Sequence, residues 1–280
     1  MIKTRDLIKK YDKNPAVNGL NLDIEAGTFY GLLGPNGAGK TTTIKMLSTL
    51  LPPTSGDMHI MNERVKRGQK HIQAQIGVVP QHYSLQREFT VYETLIHHGM
   101  LQSMQRKEMK TRIEELLIFA KLDQDAHKLV AKLSGGNKRK LMIIRAVMHR
   151  PKILFLDEPT VGLDAAIRRS IWDLLKYLKS EGLTIILTTH YIEEARVLCD
   201  RIGMMTHGKI VIENTPHELL KDVQAYVVEV FDGQKTHYAY FNTREEATAY
   251  SHKQVDDVLI RRSNLEDVYV KYTKEKVEAL

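Results

Sequence analysis

The stretch Gly34-Pro-Asn-Gly-Ala-Gly-Lys-Thr-Thr42 decides the fold of this chain. It matches G-x-x-x-x-G-K-[ST], a glycine-rich loop whose backbone N–H groups surround phosphate oxygens. Gly37 and Gly39 permit tight turns, because glycine has no Cβ to clash at positive φ. In such loops the lysine, here Lys40, reaches the β- and γ-phosphates and the following hydroxyl, here Thr41, holds Mg²⁺. The stretch therefore predicts a nucleoside triphosphate site that uses Mg²⁺.

The residues on either side of this loop predict a strand before it and a helix after it. Thr28 to Leu33 is an apolar run of strand length. Ile44, Leu47 and Leu51 recur at helical spacing, and we expect the helix to end at Pro52–Pro53. Strand, loop and helix form the context in which the loop binds phosphate, whereas a glycine-rich turn without a ligand would not need them.

Composition limits the class of protein. The chain has 280 residues, of which 42% are hydrophobic, enough for one large domain with a small annex. The lone cysteine, Cys199, excludes an internal disulfide and fits a reducing, cytosolic setting. No apolar run approaches the ~20 residues that span a bilayer. The net charge is +7, but the basic residues are scattered apart from the short group Lys138–Lys140, so we predict no nucleic-acid partner.

Three apolar runs farther along the chain end in polar side chains. These side chains are Gln81, the adjacent carboxylates Asp157 and Glu158, and His190. Open α/β sheets gather their ligands at the carboxyl ends of strands, so we expect them at one edge. Asp157 is suited to Mg²⁺, Glu158 to polarising an attacking water, and His190 to a hydrogen bond with the γ-phosphate. Gln81 is suited to Mg²⁺ or the water, and is otherwise a plain strand end.

Residues 84 to 133 change in character and predict an inserted helical subdomain. Directly after it, Ser134, Gly135 and Gly136 precede a helix that we expect over Lys138 to His149. A helix N-terminus of this kind can meet an anion. The alternative is an ordinary serine N-cap with loop glycines.

The two ends of the chain predict β-structure. Tyr11 lies in an N-terminal strand region upstream of the phosphate loop, where its ring could stack on adenine or simply be half-buried. After about residue 221 the pattern restarts, and Ala225–Phe231 and His237–Phe241 alternate around Asp232-Gly233 as in a β-hairpin. A helix, a strand and a helix follow, which predicts a small α+β annex over residues 221 to 280.

Together these motifs resemble the ATP-binding subunit of an ATP-binding cassette (ABC) transporter over residues 1 to about 220. The resemblance is carried by Gly34–Thr42 (Walker A, with Asn36 and Thr42), Gln81 (Q-loop), Leu133–Asn137 (signature, with Ser134 and Gly136), Ile153–Glu158 (Walker B), Gly162–Asp164 (D-loop), His190 (switch histidine) and Tyr11 (the aromatic that stacks on adenine). Asn137 replaces the common signature glutamine. That form, and the ending Asn264–Tyr269, are similar to the drug- and lipid-exporting ABC-2 branch.

The resemblance implies an α/β fold: a P-loop ATPase core over 1–220 with an N-terminal antiparallel β-subdomain, the helical subdomain 84–133 and the C-terminal α+β extension 221–280. It implies that ATP and Mg²⁺ bind, and that hydrolysis drives export of a drug, lipid or glycan through a separate transmembrane permease. It places the chain at the cytoplasmic face of the cell membrane. Two chains, plausibly identical, would sandwich each ATP between one Walker A motif and the other's signature.

Two alternatives have different sequence requirements. A soluble ABC ATPase acting on ribosomes usually carries two cassettes, and one acting on DNA carries a coiled coil or zinc insert; a third kind serves iron–sulfur assembly. A P-loop kinase would not need Ser134-Gly135-Gly136. Within the helical subdomain, the apolar side chains of Phe89, Tyr92, Met100 and Met104 either contact the permease or fill the subdomain's own core.

Overall fold

Three β-sheets and the helices packed around them form the fold, seen in a computed structural model that describes residues 1–12, 14–66, 68–254 and 257–277. The strands are β1 (Ile2–Tyr11), β2 (Asn14–Ile24), β3 (Phe29–Leu33), β4 (Ser55–Ile60), β5 (Glu63–Arg64), β6 (Ile76–Val79), β7 (Ile153–Asp157), β8 (Thr184–Thr189), β9 (Arg201–Thr206), β10 (Lys209–Asn214), β11 (Tyr226–Phe231), β12 (Thr236–Phe241) and β13 (Asp257–Arg262). The helices are α1 (Lys40–Leu47), α2 (Lys70–Gln73), α3 (Val91–Leu101), α4 (Arg106–Ala120), α5 (Gly135–Ala146), α6 (Ala165–Ser180), α7 (Ile192–Leu198), α8 (Pro216–Lys221), α9 (Arg244–Ser251) and α10 (Leu265–Val277).

The central sheet has six strands in the order β10-β9-β3-β8-β7-β6. Strands β3, β7 and β8 are buried along their whole length, which explains their continuous apolar runs. Helices α5, α6 and α7 cover one face of the sheet, and α1 and the N-terminal sheet cover the other. The parallel register pairs Leu33 with Thr189, Asp157 with Thr188 and Val79 with Leu156. The carboxyl ends of four strands therefore meet at one edge, as predicted.

The N-terminal sheet is antiparallel, with the order β2-β1-β4-β5. Its inward side chains, among them Leu7, Val17, Leu20 and Ile60, share one apolar cluster with α1 and with the adjacent face of the central sheet. The predicted α/β class with an antiparallel N-terminal subdomain is thus confirmed. The predicted boundaries between subdomains stay predictions.

The predicted ends of two helices were wrong. Helix α1 ends at Leu47, before Pro52–Pro53, because Thr49 takes a left-handed φ of 63° and leads the chain off the helical path. Helix α5 begins at Gly135 and ends at Ala146, not at Lys138 and His149. Helix α7 and strand β9 had no clear signal in the sequence pattern.

The helical subdomain consists of α3 and α4, packed on α5. Thr90 begins α3 with a capping box: its hydroxyl accepts the Glu93 N–H, and the Glu93 carboxylate accepts the Thr90 N–H. Tyr92 and Met104 pack against the main apolar core, whereas Met100 is 56% exposed. The expectation of core packing is thus confirmed for Tyr92 and Met104, and contact with a permease stays a prediction. Among the described residues, no helix is long and apolar enough to cross a bilayer.

A histidine pair lies where α3 meets the end of α5. The rings of His98 and His149 are 5.7 Å apart, and His149 Nε2 donates to the Ile76 carbonyl at 3.2 Å. Burial lowers the pKa of His98 to about 4, and the nearby charges of His149, Arg145 and His97 act in the same direction. Burial also lowers the pKa of His149. The fold therefore holds both rings neutral.

Acidification should destabilise the protein through this pair. The unfolded chain takes up the two protons below about pH 6.5, whereas folded His98 resists protonation until about pH 4. The unfolded state binds more protons in that window, so the free energy of unfolding falls as the pH drops through it. Thermal melts across the window should show a weaker pH dependence for His98→Leu than for wild type. The exposed His252→Leu is the control. Equal slopes for both variants would contradict the assignment.

The C-terminal extension is a three-stranded sheet, β12-β11-β13, with α9 on one face. The predicted hairpin is present: Gly233 has φ +87°, and the Asp232 carboxylate accepts the N–H groups of Gln234 and Lys235. Residues 255–256 and 278–280 of the predicted extension lie outside the described residues.

Candidate functional site

The phosphate-binding loop runs from the end of β3 into α1. Gly37 and Gly39 have φ values of +83° and +104°. A Cβ at Gly34 would lie 2.3 Å from the Met205 carbonyl oxygen, and one at Gly39 would lie 2.3 Å from the Ala16 carbonyl oxygen. The loop is therefore held closely against β9 and β2, and only glycine fits at these positions. Asn36 and Gly37 are exposed at its tip.

Lys40 begins α1 and is buried. Its ammonium donates to the carbonyl oxygens of Gly34 at 2.7 Å and Pro35 at 3.0 Å. It also lies 3.5 Å from Oε1 of Glu158. The loop's own carbonyls and a buried carboxylate thus hold the charge in place at the loop, as the predicted phosphate contact requires.

Asp157 ends β7 and receives two hydroxyl groups. Its Oδ1 accepts from Thr41 Oγ1 at 3.1 Å and from Thr188 Oγ1 at 2.6 Å. The Asp157 carboxylate and the Thr41 hydroxyl are oxygen ligands of the kind that Mg²⁺ takes, alongside substrate phosphates. The donor set fits the predicted ion. Thr42 follows on α1 and is half-buried.

Glu158 comes next and is 5% exposed. Its φ of +49° is left-handed, a strained conformation that for residues other than glycine costs on the order of 1–3 kcal/mol. The Glu158 N–H is held by the carbonyl and the hydroxyl of Thr188, both at 3.1 Å. One carboxylate oxygen faces Lys40, and the other lies 2.7 Å from Nδ1 of His190. The backbone turn thus points this carboxylate into the site.

Gln81 lies after β6 at the same sheet edge and is half-buried. The guanidinium of Arg139 on α5 donates to the carbonyl oxygens of Pro80 at 2.9 Å and Gln81 at 2.8 Å. Arg139 also lies over the ring of Tyr83. In the described part of the chain, no hydrogen bond joins the Gln81 side chain to Asp157 or Glu158. Arg139 therefore connects α5 to the backbone around Gln81.

Ser134 and Gly136 lie at the N-terminus of α5. The Ser134 hydroxyl accepts the Asn137 N–H at 3.2 Å, so it is an N-cap. A Cβ at Gly136 would lie 2.5 Å from the Ile167 side chain, so packing against α6 requires glycine there. Asn137 donates its side-chain amide to Asp125 at 2.9 Å. Within the described residues, no hydrogen bond connects this turn to the phosphate loop of the same chain.

Tyr11 lies at the end of β1 and is 49% exposed. The Lys9 ammonium is 5.7 Å from its ring centroid. This ring is not part of the core, which leaves its surface open for the stacking role predicted from the sequence.

Sequence reasoning missed Thr188 and Arg139. Both are polar side chains in apolar or charged runs, and their partners lie 31 and 58 to 59 residues away along the chain. The signal for Thr188 is recognisable only once the structure is known. It is the pair of threonines that ends the buried strand β8, next to the strand that carries the carboxylates.

Comparison with known proteins places these features in a family. The family model described as ABC transporter matches residues 17–161, more than half of the chain. This chain belongs to the ABC transporter family.

Several relatives of this ABC protein are named as export ATP-binding proteins. Nod factor export ATP-binding protein I of Burkholderia lata is 36% identical over 99% of this chain and 98% of that protein. The protein of the same name from a Rhizobium species is 42% identical over 80% of this chain and 74% of its own length. Ribosomal, DNA-acting and iron–sulfur alternatives find no support among these relatives.

Solved ABC structures agree with the fold and the activity. A dimeric ATP-binding cassette in a post-hydrolysis state, bound to ADP and Pi, has a TM-score of 0.70 and 30% identity, over 77% of this chain and 98% of its own. An ATP-binding subunit of an ABC transporter has a TM-score of 0.76 over 98% of this chain and 99% of its own; at 23% identity this supports the fold alone. The chain is thus an ABC ATPase that binds and hydrolyses ATP to energise transport through a separate membrane subunit, as predicted.

Proposed function

We propose that this ABC ATPase hydrolyses ATP at a site formed by two copies of the chain and so drives export of a lipid, drug or glycan. The observation that carries the proposal is the position of Glu158, whose carboxylate is held between the Lys40 ammonium and the His190 imidazole. A buried carboxylate between an ammonium and an imidazole is placed to take a proton from water while cations hold the phosphate beside it.

Each side chain has one part in this chemistry. The loop N–H groups, with Asn36 and Gly37 at the tip, surround the phosphates, and Lys40 neutralises their charge. Glu158 orients and deprotonates the attacking water, and His190 donates to the γ-phosphate. Tyr11 stacks on the adenine ring. Thr41 and Asp157, with Gln81, would hold Mg²⁺, which supplies charge neutralisation at the transferred phosphoryl group.

The second copy supplies the other wall of the site. Ser134 and Gly136 form the start of a 12-residue helix, whose N–H groups and dipole favour an anion. A partner chain would hold the nucleotide that they meet, and the dimeric form of the similar cassette bound to ADP and Pi supports this arrangement. Because one chain carries both half-sites, a head-to-tail homodimer needs no other protein. The Asn137 amide is already bound to Asp125, so it supports the turn from within its own chain.

Export is proposed from the relatives. The Burkholderia lata protein is named for Nod factor export, and its alignment includes the C-terminal extension. A permease in the cell membrane would hold the chain at the cytoplasmic face, where the net charge of +7 suits anionic lipid. The test is purification of the tagged chain from detergent-solubilised native membranes. A multi-span membrane protein should co-purify with it, and recovery with ribosomes or nucleic acid instead would contradict export.

The permease contact is proposed for the end of α3. Met100 and Leu101 are adjacent, and 56% and 68% of their surfaces are exposed. The segment lies in the chain between Gln81 and Ser134, both proposed to contact nucleotide, so it would move when the dimer closes. The earlier candidates Tyr92 and Met104 pack against the core and are poor sites for a charge.

A charge at Leu101 should uncouple the protein from its membrane partner. Leu101→Asp would place a carboxylate in the apolar contact, where an unpaired charge is costly to desolvate. We expect membrane recruitment to fall by more than about tenfold, since a buried hot spot contributes about 2 kcal/mol or more, while ATPase activity of the isolated protein is kept.

Ile118→Asp is the matched control, because Ile118 on α4 is 67% exposed, like Leu101, but lies on a different helix. Sedimentation with membranes that contain the permease measures recruitment. Equal recruitment of both variants would place the docking surface elsewhere.

A further inference from the structure

A fully buried carboxyl group lies behind the proposed catalytic residues. Glu194 on α7 is 0% exposed. Its Oε1 accepts hydrogen bonds from the Thr160 hydroxyl at 2.9 Å and from the Trp172 indole N–H at 3.2 Å. Glu194 therefore joins three segments: α7, the chain after β7 and α6.

Two of those segments lie next to the proposed catalytic pair: Glu158 begins the chain after β7, and His190 lies just before the start of α7. Thr160 follows Glu158 by two residues, and Glu194 follows His190 by four. The 2.7 Å contact between Glu158 and His190 spans the same two segments. The Thr160–Glu194 hydrogen bond closes a second connection between them. A shift of α7 relative to the Thr160 segment would therefore change the distance between the two catalytic side chains.

Stability alone does not account for a carboxyl group in this place. Burial raises the pKa of Glu194, while its hydrogen bonds with Thr189, Thr160 and Trp172 and the nearby charge of Arg168 act in the opposite direction. Placing a carboxyl in an apolar interior carries a desolvation cost, and an apolar side chain of similar volume is often as stable or more so. A carboxyl group can fix the relative position of two segments through directional hydrogen bonds, which apolar packing does not provide.

We propose that Glu194 is a positioning residue that holds the Glu158 segment and the His190 segment in register through Thr160. The proposal rests on the catalytic roles proposed above for Glu158 and His190. Glu194 is fully buried. It acts by keeping the base and the histidine at the distance that the reaction needs, and an error of about 1 Å in such a geometry can lower the rate about a hundredfold.

A pair of variants separates positioning from stability. Thr160→Val and Trp172→Phe each remove one donor to the same Glu194 oxygen. Valine is nearly isosteric with threonine, whereas phenylalanine is smaller than tryptophan but keeps a planar aromatic ring at this position. Only Thr160→Val releases the link to the Glu158 segment. We expect kcat to fall about ten- to a hundredfold in Thr160→Val with an unchanged KM for ATP. Trp172→Phe should keep kcat. Thr160→Ser keeps the hydroxyl donor, so it should also keep kcat.

The measurements are steady-state ATPase kinetics and thermal melts on the full chain. Equal kcat in Thr160→Val, Trp172→Phe and wild type would overturn the proposal, whatever the melting temperatures. Glu194→Gln and Glu194→Leu give a second test: the amide oxygen can still accept from Thr160, so the Gln variant should stay within a few-fold of wild type and the Leu variant should lose kcat. Near wild-type turnover in Glu158→Gln would instead refute the proposed catalytic site, which keeps the two failures distinguishable.

Discussion

Glu158→Gln is expected to lower ATP turnover by about 10²- to 10⁴-fold while ATP binding is kept, since removal of a general base typically costs that much. The amide can still accept hydrogen bonds but cannot take a proton from water. It also removes a negative charge beside the γ-phosphate, so the nucleotide-bound dimer should accumulate. Phosphate release measures turnover, and size-exclusion chromatography with ATP measures the dimer.

Glu193→Gln is a matched control for this prediction. Glu193 lies on α7, is exposed and carries the same change in charge. Its turnover and oligomeric state should match wild type. If Glu158→Gln hydrolyses ATP near the wild-type rate, the catalytic assignment is wrong, and the strained backbone at φ +49° has another explanation.

Ser134→Arg is expected to abolish hydrolysis while each chain still binds ATP. The large cation would stand at the start of α5, where the proposed γ-phosphate of the partner's nucleotide must fit. The phosphate loop of the same chain is untouched, so binding of a fluorescent ATP analogue should persist. Mixing this variant with Lys40→Ala chains should restore activity, because a mixed dimer has one composite site in which both halves are intact.

Ser134→Arg also removes the N-cap of α5, so a control must separate that loss of stability from the loss of the site. An N-cap substitution costs about 0.5–2 kcal/mol by itself. Thr243 is an exposed N-cap of α9 in the C-terminal extension. Thr243→Arg should therefore show a comparable loss of stability and full ATPase activity. No recovery in the mixture of Ser134→Arg and Lys40→Ala would count against a site shared between two chains.

Local rules were enough for much of this protein. The phosphate loop, the buried strands and the hairpin at Asp232-Gly233 were predictable because each depends on neighbouring residues: glycine at positive φ, continuous apolar runs and period-two alternation. The polar strand ends at Gln81, Asp157, Glu158 and His190 could be assigned to one edge. Parallel strands bring their carboxyl ends together whatever their order in the sheet.

Other features depended on contacts between distant residues. Nothing near Thr188 or Glu194 in the chain indicates that they hold Asp157 and Thr160, whose hydrogen bonds reach across 31 and 34 residues. Two residues of one helix also differ: Tyr92 packs inward while Met100 is exposed, because α4 and α5 cover only one side of α3. Periodicity reports that a helix has an apolar face but not how far its neighbours cover it.

The sequence by itself therefore predicted the chemistry proposed for the site, since phosphate binding, metal ligation and proton transfer each require particular side chains at short spacings. Only the tertiary structure decided how those side chains are held. Glu158 is turned into the site by a left-handed backbone and bound by Thr188 on the next strand, and the Q-loop backbone is fixed by Arg139 from the signature helix. Such contacts arise when whole elements pack, and packing depends on the summed shape of surfaces that no local stretch of sequence contains.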